Sequence, residues 1–245
     1  MRHAEIACVA ALPIEVAPLV AKCEKVKKYS GGDFTFRGGM YRGLRLAFVE
    51  TGTGGTRAGR GAKAMIDGHS PEWVLSIGFS GGMIPEMRPG DIVVANEIVD
   101  QHGNDLKIDL RMQEDRERGL FVGRILMADG IVRTVSEKKE LHERTGALAV
   151  DMESLAVARA CQTAGTKFMA IRVVSDDMTA DLPPEILTIL GTTGNVRWGA
   201  TLGAVWNRPE SVKDLWNLRS QANSVAERLA GFLETILEQL AQTLS

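Results

Sequence analysis

The sequence predicts a three-layer α/β/α domain around a central, mostly parallel but mixed sheet. Three observations predict it. Six short β-branched runs are apolar at nearly every position, helix-patterned stretches lie between many of them, and the runs end at glycine or acidic residues. Runs that are apolar throughout belong to strands covered on both faces. Strands of that kind alternating with helices build a sheet between two helical layers.

In chain order the runs are 6–12, 46–50, 73–78, 92–95, 121–128 and 168–174. Helical patterning falls at 56–66, 134–144 and 152–164. The second of these opens with Thr134-x-x-Glu137, a capping box in which each side chain satisfies the other residue's backbone N–H. Segment 100–117 is polar and reads as a surface loop. A mixed stretch, 179–209, carries Trp198 and Trp206 and leads into 211–240. There Leu215, Leu218, Ala222, Val225, Leu229, Phe232, Ile236 and Leu240 recur at spacings of three and four, which is one long amphipathic helix packed on the domain. Residues 1–245 are expected to form a single domain.

Composition narrows the partners. The net charge is −2, and no Lys/Arg run supplies the clustered positive charge that phosphate backbones need, so nucleic acid is excluded. No apolar segment is long enough to span a bilayer. The opening MRHAEIACVAALPIE has an apolar run too short, and too soon ended by Pro13 and Glu15, for an export signal. Cys8, Cys23 and Cys161 form no CxxC pair and read as free thiols of a reducing compartment rather than a zinc site. The expectation is a cytoplasmic protein with no metal and no cofactor.

In α/β sheets ligands sit beyond the carboxyl ends of the strands. Glu15 follows the first run there, Thr51-Gly52-Thr53-Gly54-Gly55-Thr56 the second, and Gly78-Phe79-Ser80-Gly81-Gly82 the third. Asp129 follows the 121–128 run and Ser175-Asp176-Asp177 the last, while Asp151-Met152-Glu153-Ser154 opens a helix after 148–150. Each has a purely structural alternative. The glycines serve tight turns as readily as phosphate binding. Asp151 suits a helix N-cap, Asp176 and Asp177 suit a turn, Glu15 a solvated first helical turn, Met152 the core, and Arg57 a solvated helix face. Singly these alternatives suffice; they do not explain why carboxylates and glycine turns collect on one rim. A dinucleotide enzyme is disfavoured, because no Gly-x-Gly-x-x-Gly follows the first strand.

ACVAALPIEV, ETGTGGTRA, SIGFSGG, PGDIVVA, AVDMES and IRVVSD, spread over residues 4–178, resemble in order and content the nucleoside phosphorylase and hydrolase superfamily. The likeness is to the 5′-methylthioadenosine/S-adenosylhomocysteine nucleosidases and to the hopanoid-associated phosphorylases, the latter especially in LPPE and the tail. The resemblance implies a homodimer or larger homo-oligomer acting on a small purine nucleoside. It implies Asp176 as the acid at purine N7 and Glu15 as the base that orients water. It implies Glu153 as the holder of the ribose hydroxyls, with Met152 against the sugar. Ile131 and Val132 would wall the base, and Gly78, Phe79, Ser80 and Gly81 would border base and sugar. Ile131 stands where an aromatic that stacks on adenine is expected.

Glycosidic cleavage develops positive charge on the sugar and negative charge on the departing base. A positioned acid therefore has to neutralise the purine as the bond breaks, worth about 10²–10⁴-fold. A carboxyl group there favours a 6-aminopurine, whose amino group donates to a carboxyl oxygen; hence adenine. Two alternatives stay open. Phosphorolysis, with phosphate as co-substrate, would use Gly52, Gly54 and Arg57, a set that serves equally as a water site. The other is a non-catalytic nucleoside-binding protein. The 179–209 segment is expected to shape a pocket for a larger or greasier 5′ substituent.

Overall fold

All six apolar runs are strands of one sheet in a computed structural model that describes residues 3–184, 186 and 209–244. In chain order the elements are β1 (Ile6–Ala10), α1 (Pro13–Ala21), β2 (Glu24–Gly31), β3 (Phe34–Tyr41), β4 (Leu44–Glu50), α2 (Gly55–His69), β5 (Trp73–Gly82), β6 (Ile92–Asp100), β7 (Asp105–Lys107), β8 (Leu120–Met127), α3 (Val135–Thr145), β9 (Ala149–Asp151), α4 (Ser154–Ala164), β10 (Lys167–Asp176) and α5 (Pro209–Leu244).

The centre is parallel: β4, β1, β5 and β10 lie side by side. Its margins are not. β2, β3 and β4 form an antiparallel meander, and β6 runs antiparallel to β10. The turn between β3 and β4 is made by Arg42 and Gly43, both at positive φ (47° and 89°), the twist that two-residue hairpins require. At Gly81 and Gly82, β5 acquires an antiparallel partner, β9, which continues through β8 and β6 back to β10. The sheet thus forks at β5 and closes on itself along that branch, so it is more mixed than the apolar runs alone suggest. β2 escaped the sequence pattern because all eight of its residues are exposed.

Both faces of the sheet are covered. Ile6, Cys8 and Ala10 of β1 face α1 and α5, while Ala7 and Val9 face α2 and α4, the two-residue alternation of a strand. Val225, Leu229, Ile236 and Leu240 of the tail helix are buried as the spacing predicts, each large apolar side chain contributing about 1.5–3 kcal/mol. Tyr41 donates its hydroxyl hydrogen to Glu234 at 2.8 Å and helps to pin that helix. The side chains of Leu215 and Leu218 lie outside the described residues, as do Trp198, Trp206 and most of 179–209. Segment 100–117 is largely exposed but contains β7 and a 3₁₀ turn at Arg116–Arg118. No described helix is long and apolar enough to cross a membrane.

Candidate active site

A cavity of about 210 Å³ opens at the carboxyl ends of the strands, and Glu15, Glu153 and Asp176 all line it. Phe79, Ser80, Gly81, Ile131, Val132 and Met152 line it too. Residues 161 positions apart in sequence therefore meet around one space. Among the described residues, the wall carries four acidic side chains (Asp151 is the fourth) and no Lys, Arg or His.

Glu15 is not a solvated helix residue; it is 4% exposed. Pro13 starts α1, and Glu15 turns back so that Oε2 accepts the N–H of Leu12 at 2.7 Å. Oε1 accepts the N–H of Phe79 at 2.9 Å. Burial pushes the Glu15 pKa up, against the opposing pull of those two N–H groups and of the Arg172 charge. Gly78 stands outside the cavity wall but makes room for this carboxylate: a Cβ there would lie 2.7 Å from Glu15 Oε1.

Glu153 sits at the turn between β9 and α4. Oε1 accepts the N–H of Gly54 at 2.7 Å. Gly54, at φ 100°, opens α2, so the glycine turn after β4 serves a carboxylate. Burial first, then the charge of Asp151, pushes the Glu153 pKa up to about 7, while Gly54 N–H and Arg172 oppose the rise. Asp151 does two jobs. Oδ1 accepts the N–H groups of Glu153 and Ser154 and the Ser154 hydroxyl (3.2, 3.2 and 2.9 Å), which caps α4. Oδ2 accepts Arg172 Nε at 2.7 Å.

Asp176 ends β10. Oδ2 accepts Lys138 Nζ at 2.6 Å and Oδ1 accepts the Ser175 hydroxyl at 2.7 Å. Its neighbour Asp177 caps a turn instead, accepting the N–H and hydroxyl of Thr179 at 2.8 and 2.6 Å. The structure does not bring Gly52 or Arg57 into the cavity wall, where Thr53 stands instead. Arg57 donates to the carbonyl oxygens of Thr51 (2.5 Å) and Asp33 (3.2 Å) and lies over the Phe34 ring. Asp129 pairs with His102 at 3.0 Å, also off the wall.

Sequence patterns missed two buried cations, and each had a signal. Arg172 interrupts an otherwise apolar strand, and it is 1% exposed. Lys138, fully buried, lies three residues before buried Leu141 on the inward face of α3, between exposed Glu137 and Lys139. Leu182, Ile186 and Gln221 also border the cavity.

The forked α/β sheet carries an acid-ringed cleft at its carboxyl edge, where sheets of this class hold their ligands. The family model described as the Phosphorylase superfamily matches residues 5–189, and the chain belongs to that superfamily, whose members act on N-ribosyl bonds. Among curated proteins, it is 25% identical over 202 residues to a 5′-methylthioadenosine/S-adenosylhomocysteine nucleosidase of Maridesulfovibrio salexigens, covering 72% of this chain and 87% of that one. The same holds, at 25% over 195 residues, 69% and 83%, for the protein of that name from Geobacillus thermodenitrificans. The fold matches a solved Campylobacter jejuni 5′-methylthioadenosine/S-adenosylhomocysteine nucleosidase, with a TM-score of 0.72 at 16% identity, covering 96% and 99% of the two chains. It also matches a futalosine hydrolase of Helicobacter pylori, with a TM-score of 0.70 at 17% identity, covering 96% and 97%.

Proposed function

We propose that this enzyme hydrolyses the N-glycosidic bond of a purine nucleoside and releases the free base, adenine. The observation that carries the reading is the convergence of Glu15, Glu153 and Asp176 on one cavity. The names of the curated relatives, nucleosidases for 5′-methylthioadenosine and S-adenosylhomocysteine, support it.

In this reading Asp176 passes a proton to N7 as the C1′–N9 bond breaks, and the bond's electron pair moves into the purine. Glu153 accepts hydrogen bonds from the ribose 2′- and 3′-hydroxyls, and its charge lies near the forming cation. Glu15 takes a proton from water as the water oxygen bonds to C1′. Met152 packs on the sugar and Ile131 and Val132 on the base. Water is preferred over phosphate, because a phosphate dianion would enter a wall of carboxyl groups while Arg57 is engaged elsewhere. The enzyme on this reading needs no metal or cofactor, works in the cytoplasm and is a homo-oligomer, at least a dimer.

Incubating the protein with adenosine and its 5′-alkylthio derivatives, with and without phosphate, tests the reading. Free adenine and reducing sugar in both conditions are expected, and Asp176→Asn lowers turnover at least ~10²-fold without unfolding the chain. Sugar 1-phosphate formed only with phosphate gives the reaction to phosphorolysis. Tight binding without base release leaves a nucleoside-binding protein.

A further inference from the structure

We propose that Lys138 stores the proton that leaves with the purine and delivers it through the Asp176 carboxyl group. The inference rests on the reading of Asp176 as the acid. Lys138 is fully buried in α3, and its ammonium group is aimed at the end of β10. Nζ lies 2.6 Å from Asp176 Oδ2, 2.7 Å from the Asp177 carbonyl oxygen and 3.4 Å from that of Asp176. Gly81 lets the pair press against β5, since a Cβ there would meet Asp176 Oδ2 and Lys138 Cε at 3.2 Å each.

Burying an ammonium carries a large desolvation penalty, and a neutral donor would tie α3 to β10 without it. A charged lysine placed against the carboxylate that faces the cavity does something a tie does not. Lys138 is absent from the cavity wall, so it acts on a ligand through Asp176 and is a positioning residue. Facing each other as an ion pair at 2.6 Å, the ammonium and the carboxylate hold a transferable proton between them. As the C1′–N9 bond breaks, Lys138 passes its proton to the Asp176 carboxylate and becomes a neutral amine, and Asp176 hands that same proton on to N7. Glu15 receives the proton of the attacking water and releases it to solvent, and solvent returns one proton to Lys138 by way of Asp176. The sum is one water consumed, its hydroxyl on C1′ and its hydrogen on the purine.

The test is kcat/KM against pH for the wild type, Lys138→Met and Asp176→Asn. Removing the lysine leaves a lone carboxyl to carry its own proton. The alkaline limb of Lys138→Met should therefore move down by at least a unit, with kcat about 10²-fold lower and KM little changed. If Lys138 is only a structural charge that keeps Asp176 ionised, its loss makes Asp176 easier to protonate and the limb moves up, which overturns the proposal. An unmoved limb overturns it as well. The wild-type limb supplies a measurement independent of whether the variant folds. Ammonium ionisation is strongly temperature-dependent and carboxyl ionisation hardly so, so the limb should fall markedly on warming; a temperature-independent limb refutes the role. Full activity in Asp176→Asn would instead remove the acid assignment itself.

Discussion

Replacing Arg172 with methionine should lower folding stability by about 3–5 kcal/mol, the loss expected when one partner of a buried ion pair is removed. The magnitude follows from what the guanidinium satisfies. It is 1% exposed and donates to Asp151 Oδ2 at 2.7 Å, to the carbonyl oxygens of Ser76 and Ile171 at 2.8 and 3.0 Å, and to the Ser76 hydroxyl at 2.9 Å. Methionine keeps most of the apolar stem but leaves the Asp151 carboxylate, itself buried, with partners on Oδ1 alone. In a chain of 245 residues each kcal/mol moves the melting midpoint by about 2–4 °C, so a drop of about 6–20 °C is expected by calorimetry. Adding Asp151→Asn should return part of the loss, because it removes the stranded charge, and the double-mutant cycle should be non-additive by more than 1 kcal/mol. A second consequence is electrostatic. Arg172 opposes the upward shift of both Glu15 and Glu153, so its removal should raise the acidic limb of the rate profile. A stability loss under 1 kcal/mol with an additive cycle would mean that water reaches the pair, and the reasoning from burial would be refuted.

Other expectations follow from the carboxylates. Glu15 works as a base only when ionised, and burial has raised its pKa, so kcat/KM should decline on the acid side above the ordinary carboxylate range; a limb at or below about pH 4 would show the shift to be absent. Glu153 binds its proton more tightly when folded (pKa about 7) than in an unfolded chain, near 4.3. That contribution to stability is complete below the unfolded value and is lost as pH rises through about 7. Wild-type melting temperature should consequently fall across that window relative to Glu153→Gln, and parallel curves would contradict it. Gly78→Ala places a Cβ 2.7 Å from Glu15 Oε1 and should push the carboxylate off the Phe79 N–H. Base release should drop about 10²-fold, the penalty for misplacing a reacting group by an ångström. An unchanged rate would show that Glu15 tolerates displacement.

The six parallel-type runs, the capping box and the tail helix were legible along the chain because their causes are local. Continuous β-branched apolarity marks a doubly covered strand wherever it occurs, and a three-and-four spacing marks one helix face. The rim of acids was legible for the same reason, since each residue simply follows a strand end. The antiparallel meander was not, because β2 is exposed throughout and leaves no apolar trace.

What each acid does was decided by tertiary structure. Only packing turns Glu15 from a solvated helical turn into a buried acceptor for Phe79 N–H, 64 residues away. The same packing gives the glycine turn at Gly54 to Glu153, 99 residues on, and leaves Arg57 facing elsewhere. It also sets Lys138 behind Asp176 across 38 residues and Arg172 behind Asp151 across 21. Amino-acid type and spacing determine which groups can ionise and which element carries them. Burial and the distance to an opposite charge determine their protonation, and both quantities exist only once distant segments are in contact.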